Sequence, residues 1–103
     1  MEYVNGFKFT GKMAYRKPLP QEDGYFGGTM QLLGQSKRED SLEIRETKLT
    51  LFVPHREWNK LDYFNVKDFD WIKVEGHFES WLDRKDNLKL RCICDRILDV
   101  ECQ

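Results

Sequence analysis

The stretch Trp71-Ile-Lys-Val-Glu-Gly-His-Phe-Glu-Ser-Trp-Leu-Asp-Arg-Lys-Asp-Asn-Leu-Lys-Leu-Arg-Cys-Ile-Cys-Asp-Arg-Ile-Leu-Asp-Val100 decides the fold. It reads as two strands joined by a hairpin and followed by a short return strand. In the first strand Ile72, Val74 and Phe78 share one face, while Trp71, Lys73, His77 and Trp81 share the other. Gly76 interrupts the alternation and marks a strand that bends sharply to turn the corner of a small barrel. The tip Asp83-Arg84-Lys85-Asp86-Asn87 is polar throughout and turn-prone. Beyond it Leu88, Leu90, Cys92 and Cys94 alternate against Lys89 and Arg91, with the cysteines' face turned to the core. The hairpin thus offers basic and aromatic side chains that the core does not claim. Such a surface suits nucleic acid.

Working outward, Phe7-Lys-Phe-Thr-Gly-Lys-Met13 is a short alternating strand ending near Gly11. Pro18 and Pro20 impose a loop that runs to Gly24. Tyr25 to Leu33 is a second strand, loosened by Gly27 and Gly28, with Met30 and Leu32 on one face. Gly34 to Ser41 is polar and forms a hairpin tip. Leu42 to Val53 resumes strand character up to Pro54, and its apolar parity shifts from Leu42 and Ile44 to Leu49, Leu51 and Val53. A bulge between Glu46 and Lys48 would explain that shift. The segment from His55 to Asp70 holds the one plausible helix, short and weak, with Trp58, Leu61 and Phe64 on one side. Five strands with one short helix between the third and fourth give an all-β architecture, the OB-fold Greek-key barrel, as a single domain over residues 1–103.

Composition sets the surroundings. The 103 residues carry 17 cations and 18 acids, a net charge of −1, with no apolar run near the ~20 residues that span a bilayer. The opening Met-Glu-Tyr-Val-Asn-Gly lacks the order of a signal peptide, so a cytoplasmic protein without membrane attachment is expected. Three cysteines near the C-terminal end make no disulfide framework, and Cys92 and Cys94 read as core residues rather than metal ligands. Neither His55 nor His77 stands in a metal or nucleophile motif, and the sequence has no Gly-rich phosphate loop. No cofactor and no catalysis are expected. The positive charge is local: Lys8, Lys12, Arg16 and Lys17 lie between Phe7 and Lys17 with no acid among them, beside Tyr15.

Short motifs resemble the bacterial and phage single-stranded DNA-binding proteins, including the related primosomal replication protein. Asn5-Gly-Phe-Lys-Phe-Thr-Gly-Lys-Met13 resembles that family's first strand, and Leu49-Thr-Leu-Phe-Val53 its third. Ile72-Lys-Val-Glu-Gly-His-Phe-Glu-Ser-Trp81 resembles the fourth strand, with its Val-x-Ile-Glu-Gly centre and a Trp a few residues on. Cys94-Asp-Arg-Ile-Leu-Asp-Val100 resembles the last strand. The resemblance implies base stacking on Phe52 and on Trp81, which sits two positions nearer the glycine than the family's residue. A second stacking Trp of the family would fall near Glu46, so that platform is missing, and binding without the family's acidic tail is expected.

The residues alone leave two readings for the key rings. Trp81 lies on the polar face beside a charged tip, where it can meet a ligand or lid the barrel end. Phe52 is opposite in parity to Leu51 and Val53, which suits an open groove or a dimer interface. Phe7, Phe9 and Phe78 read as core, and Trp58 and Trp71 as packing around the helix. The expected phosphate contacts are Lys8, Lys12, Arg16, Lys17, Lys73, Arg84, Lys85, Lys89 and Arg91, with Tyr15 among them. The favoured function is binding of single-stranded DNA, with RNA possible, in replication or recombination. A homodimer or homotetramer is expected, formed through the first strand or the 34–41 hairpin, with other replication proteins as possible partners. The alternative is a protein-interaction barrel that binds no nucleic acid.

Overall fold

The computed structural model describes residues 4–20, 24–37 and 39–102. Residues 21–23 of the expected loop and Arg38 of the expected hairpin tip lie outside them. The element order is β1 (Phe7–Pro18), β2 (Phe26–Lys37), β3 (Ile44–Pro54), α1 (His55–Tyr63), β4 (Trp71–Leu82) and β5 (Leu88–Glu101). The strands close into a barrel in the order β1-β2-β3-β5-β4. All pairings are antiparallel except β3 with β5, which meet in parallel at Leu51↔Cys92 and Phe52↔Ile93. This is the five-stranded OB-fold with one short helix between the third and fourth strands.

Alternation fills the barrel. Met13, Met30, Leu32, Leu51, Val53, Ile72, Val74, Cys94 and Ile97 point inward and are buried, and burial of one such aliphatic side chain contributes about 1.5–3 kcal/mol. Burial in this core, with the negative charge of Glu57 and Asp95 nearby, pushes the Cys94 thiol up to about 12. Gly76 is needed where β4 meets β5: a Cβ there would strike the carbonyl oxygen of Ile93. The pairing of the two strands slips between Glu75 and Gly76, which bends the corner.

Helix α1 plugs one end. Leu61 is buried beneath it, and Trp58 lies on Gly27 and Gly28, where added Cβ atoms would come within 2.6 and 2.5 Å of the indole. Asn65, in the left-handed region at φ 54, ends the helix. Glu57 is fully buried and clasps the helix to β5. It accepts hydrogen bonds from the Ile97 backbone N–H (2.7 Å), Lys60 Nζ (2.9 Å) and Arg56 Nε (3.1 Å). Burial alone would raise its pKa, but these donors outweigh it and hold the carboxyl below its ordinary value.

Several sequence expectations are corrected. β1 does not stop near Gly11 but runs to Pro18, with its irregularity between Met13 and Tyr15. The third strand has no bulge at Glu46 to Lys48, since β2 and β3 pair without a slip from Gly28↔Val53 to Lys37↔Ile44. The parity shift has another cause: Leu42 precedes the strand and Ile44 lies on the outer face of a ribbon reaching past the barrel, both exposed. Phe78 is not core, and the return strand is continuous with β5. Phe64 is exposed at the helix end, outside the core that Leu61 and Trp58 serve.

Candidate nucleic-acid interface

Leu51 and Val53 are committed to the core, so Phe52 between them faces outward. The ladder sets Thr29 on one side of it and Ile93 on the other. Ile93 is buried and lies beside Phe52 rather than in the main core cluster. The pairing Trp81↔Lys89 and Glu79↔Arg91 puts these four side chains on one face of the β4–β5 ribbon. From there Arg91 reaches back over the barrel. Its guanidinium carbon is 5.1 Å from the Trp81 ring centroid, 5.1 Å from Phe26 and 5.5 Å from Phe52.

The result is a continuous strip: Trp81, the Arg91 guanidinium, Phe52, Phe26 and Tyr25. Phe26 lies 5.4 Å from Phe52 with the rings tilted, and Tyr25 meets Phe26 edge-on at 4.9 Å. Trp81 remains 45% exposed, and Tyr25 is exposed as well. The guanidinium is held mainly by the rings. Its ion pair to Glu79 is long at 3.5 Å, and its buried Nε has no hydrogen-bond partner among the described residues. Arg91 thus lays its flat guanidinium against three rings at once while carrying a positive charge.

The hairpin tip extends the strip with cations. Asp83 Oδ1 accepts the backbone N–H groups of Lys85 (2.8 Å) and Asn87 (2.9 Å), which holds its carboxyl below the ordinary value and fixes the turn. Arg84 and Lys85 project from that turn into solvent. Lys89, opposite Trp81, is 3.9 Å from Asp83, a loose exposed pair that leaves it free to meet a phosphate. On the other flank the ladder runs Phe52↔Thr29↔Lys17, with Tyr15 opposite Gln31. Lys17 is thus two strands, about 10 Å, from Phe52.

The remaining expected contacts go elsewhere. Arg16 turns toward the helix, where it bonds Asp62 at 2.9 Å and lies 5.6 Å over Trp58. Lys8, Lys12 and Lys73 stand on the β1–β4 seam, opposite Glu75, Trp71 and Thr10. Lys73 lies roughly 26 Å along β4 from Trp81, at about 3.3 Å per residue. Lys12 Nζ sits 5.3 Å over the exposed ring of Trp71. Together they line a groove of about 690 Å³ with Thr10, Leu33, Gln35 and Glu46. Trp71 is therefore a surface ring beside Glu46 rather than a packing residue of the helix.

The sequence places Tyr25 and Phe26 on the second strand but does not single them out as site residues. Their signal is positional: they precede Gly27-Gly28, and Phe26 pairs with Pro54, beside Phe52. A slip in the ladder between Phe26 and Gly28 turns Phe26 onto the outer face, and alternation cannot foresee that.

No protein-family model matches this sequence, and no curated protein matches it. Solved structures do match its fold. A small single-stranded DNA-binding protein from Mycoplasma pneumoniae superposes with a TM-score of 0.66 at 13% identity, covering 94% of each chain. A Plasmodium falciparum single-stranded DNA-binding protein in complex with single-stranded DNA gives 0.58 at 15%, over 98% of this chain and 96% of the other. The mitochondrial single-stranded DNA-binding protein of S. cerevisiae gives 0.54 at 12%, over 95% and 97%. The chain shares the OB-fold of these proteins over 94%, 98% and 95% of its length, respectively.

Proposed function

We propose that this chain binds single-stranded nucleic acid without sequence preference. Bases stack on Trp81, Phe52, Phe26 and Tyr25, and Lys89, Arg84, Lys85 and Lys17 meet the phosphates. The observation that carries the reading is the strip itself, four rings and one guanidinium in contact on the outside of the barrel. A folded chain does not need to place rings outward, and a base stacked on an exposed ring gains ~1–3 kcal/mol whatever its identity. A fold shared with proteins that bind single-stranded DNA supports the same reading. Service in replication or recombination, in the cytoplasm, follows as its biological setting. No residue of the strip is asked to perform chemistry.

The test is a fluorescence titration with oligo-dT of ~15 to 30 nucleotides at low salt, read on the three tryptophans. Binding with quenching, weakened by added salt, is expected. An absence of both quenching and mobility shift would overturn the proposal. A parallel titration with oligo-rU measures any preference between DNA and RNA.

A further inference from the structure

Behind Arg91 runs a line of titratable side chains that base stacking leaves unused. Trp81, Glu79 and His77 follow one another on the outer face of β4, opposite Lys89, Arg91 and Ile93 of β5. His77 Nδ1 lies 2.8 Å from Asp95 Oδ1 and 2.9 Å from Oδ2. Its Nε2 lies 3.8 Å from Glu79 Oε2. The other oxygen of that carboxylate, Oε1, is 3.5 Å from Arg91 Nη2. Glu79 therefore stands between an imidazole and a guanidinium, and neither contact has the length of a good hydrogen bond.

We propose that Glu79 and His77 are positioning residues for the strip: a proton gained by His77 draws the Glu79 carboxylate to the imidazole and frees the charge of Arg91 for a phosphate. This rests on the reading of the strip as the nucleic-acid site. A neutral imidazole has one N–H and one bare nitrogen, and Nδ1, against the Asp95 carboxylate, holds the hydrogen. Nε2 then turns a lone pair toward Glu79, which fits their 3.8 Å separation. A second proton, on Nε2, converts that contact into a charge-assisted hydrogen bond, whose usual length is about 2.7–2.9 Å. Solvent supplies it, since the His77 side chain is 32% exposed.

With His77 neutral, Glu79 offsets Arg91 and the guanidinium serves the rings of Trp81, Phe52 and Phe26. With His77 charged, Glu79 answers the imidazolium and Arg91 presents its charge among those rings, where the backbone of a stacked strand passes. The other charges around the imidazole have partners of their own. Arg96 of β5 pairs with Glu75 of β4 at 3.0 Å, and Lys8 of β1 stands opposite Glu75. Arg56 of α1 donates to the Asp95 carbonyl oxygen at 3.2 Å. Histidine is the side chain whose charge changes between about pH 5 and 8. The chain has two, and His55 opens α1, outside this line.

Two pH titrations of the full chain test this relay. Without DNA, tryptophan emission followed from pH ~8 to ~5 should change as the guanidinium shifts against Trp81. The change should vanish in His77→Gln and in Glu79→Gln and persist in His55→Gln. With oligo-dT, the affinity should rise about fivefold over the same range, the low end of coupling between two sites. The salt slope should steepen by ~0.7, the share of one added phosphate contact. Glu79→Gln should hold the acid-form affinity and slope at both ends of the range. If Glu79→Gln keeps the wild-type pH dependence, His77 adds only its own charge and the relay is overturned. Wild-type emission that ignores pH, or a pH dependence that survives His77→Gln, overturns it equally. Failure of oligo-dT to bind at every pH would remove the reading of the strip instead, and the emission titration of the free chain would still decide the relay.

Discussion

Two outer faces of one small barrel carry cations and a tryptophan, yet they are built differently. On the β3–β5 face, Trp81, Phe52 and Phe26 gather around one guanidinium, and among the described residues the one ion pair at the tip is the loose contact of Lys89 with Asp83, whose carboxylate is tied to the turn. On the β1–β4 face, Trp71 has Lys12 for company, Lys8 stands opposite Glu75, and Glu46 shares the groove. The difference teaches that lysines near an aromatic ring do not by themselves make a stacking site. On the proposed reading contiguity of rings does, because successive bases of a single strand need successive platforms.

The largest expected effect breaks both faces together. Glu57 holds α1 to β5, so Glu57→Ala leaves the buried Ile97 N–H without its acceptor and should cost about 1–3 kcal/mol of stability, read by urea denaturation. The pH dependence has a definite sign. The folded pKa of Glu57 lies below 4.5, so its contribution is complete above that value and is lost as pH falls through the folded pKa. Glu57→Gln should therefore remove that part of the acid sensitivity.

Next come the rings. Trp81→Ala and Phe52→Ala should each weaken oligo-dT binding by ~1–3 kcal/mol with little change in salt slope, because stacking releases few counterions. Trp71→Ala should weaken it by less than either. If Trp71 proves the costliest of the three, the assignment of the faces is reversed.

Charge removal separates the faces more gently. Arg84→Ala with Lys85→Ala should weaken binding to dT and dA alike and lower the salt slope by ~0.7 for each lost contact. Lys8→Ala with Lys73→Ala should leave the slope nearly unchanged. Arg91→Ala gives the finest distinction. Because it packs against three rings, its loss should lower quenching and affinity with a smaller loss of slope than that of a tip cation. A full unit of slope lost there would make it an ordinary phosphate contact.

Much of this was legible in the sequence, for identifiable reasons. The β4–β5 hairpin announces itself through strict alternation and a polar tip, and the element order then implies the barrel. Phe52 and Trp81 stand out because their neighbours in parity belong to the other face. What alternation cannot show is where the barrel ends. Leu88 and Leu90 carry the inward parity but lie beyond the closed part, and Leu42 and Ile44 mimic a bulge for the same reason. Nor does sequence show ladder slips, which bring Phe26 to Phe52, or the choice of an ion-pair partner, which takes Arg16 to Asp62.

The most direct test of the central claim is ultraviolet cross-linking of the native chain to oligo-dT, with the attached peptides identified by mass spectrometry. Zero-length attachment requires a base in contact with the side chain. The account predicts adducts at Trp81, Phe52, Phe26 or Tyr25 on the β3–β5 face, displaced by unlabelled dT. Adducts confined to Trp71 and its groove, with none on the hairpin or at Phe52, would contradict it.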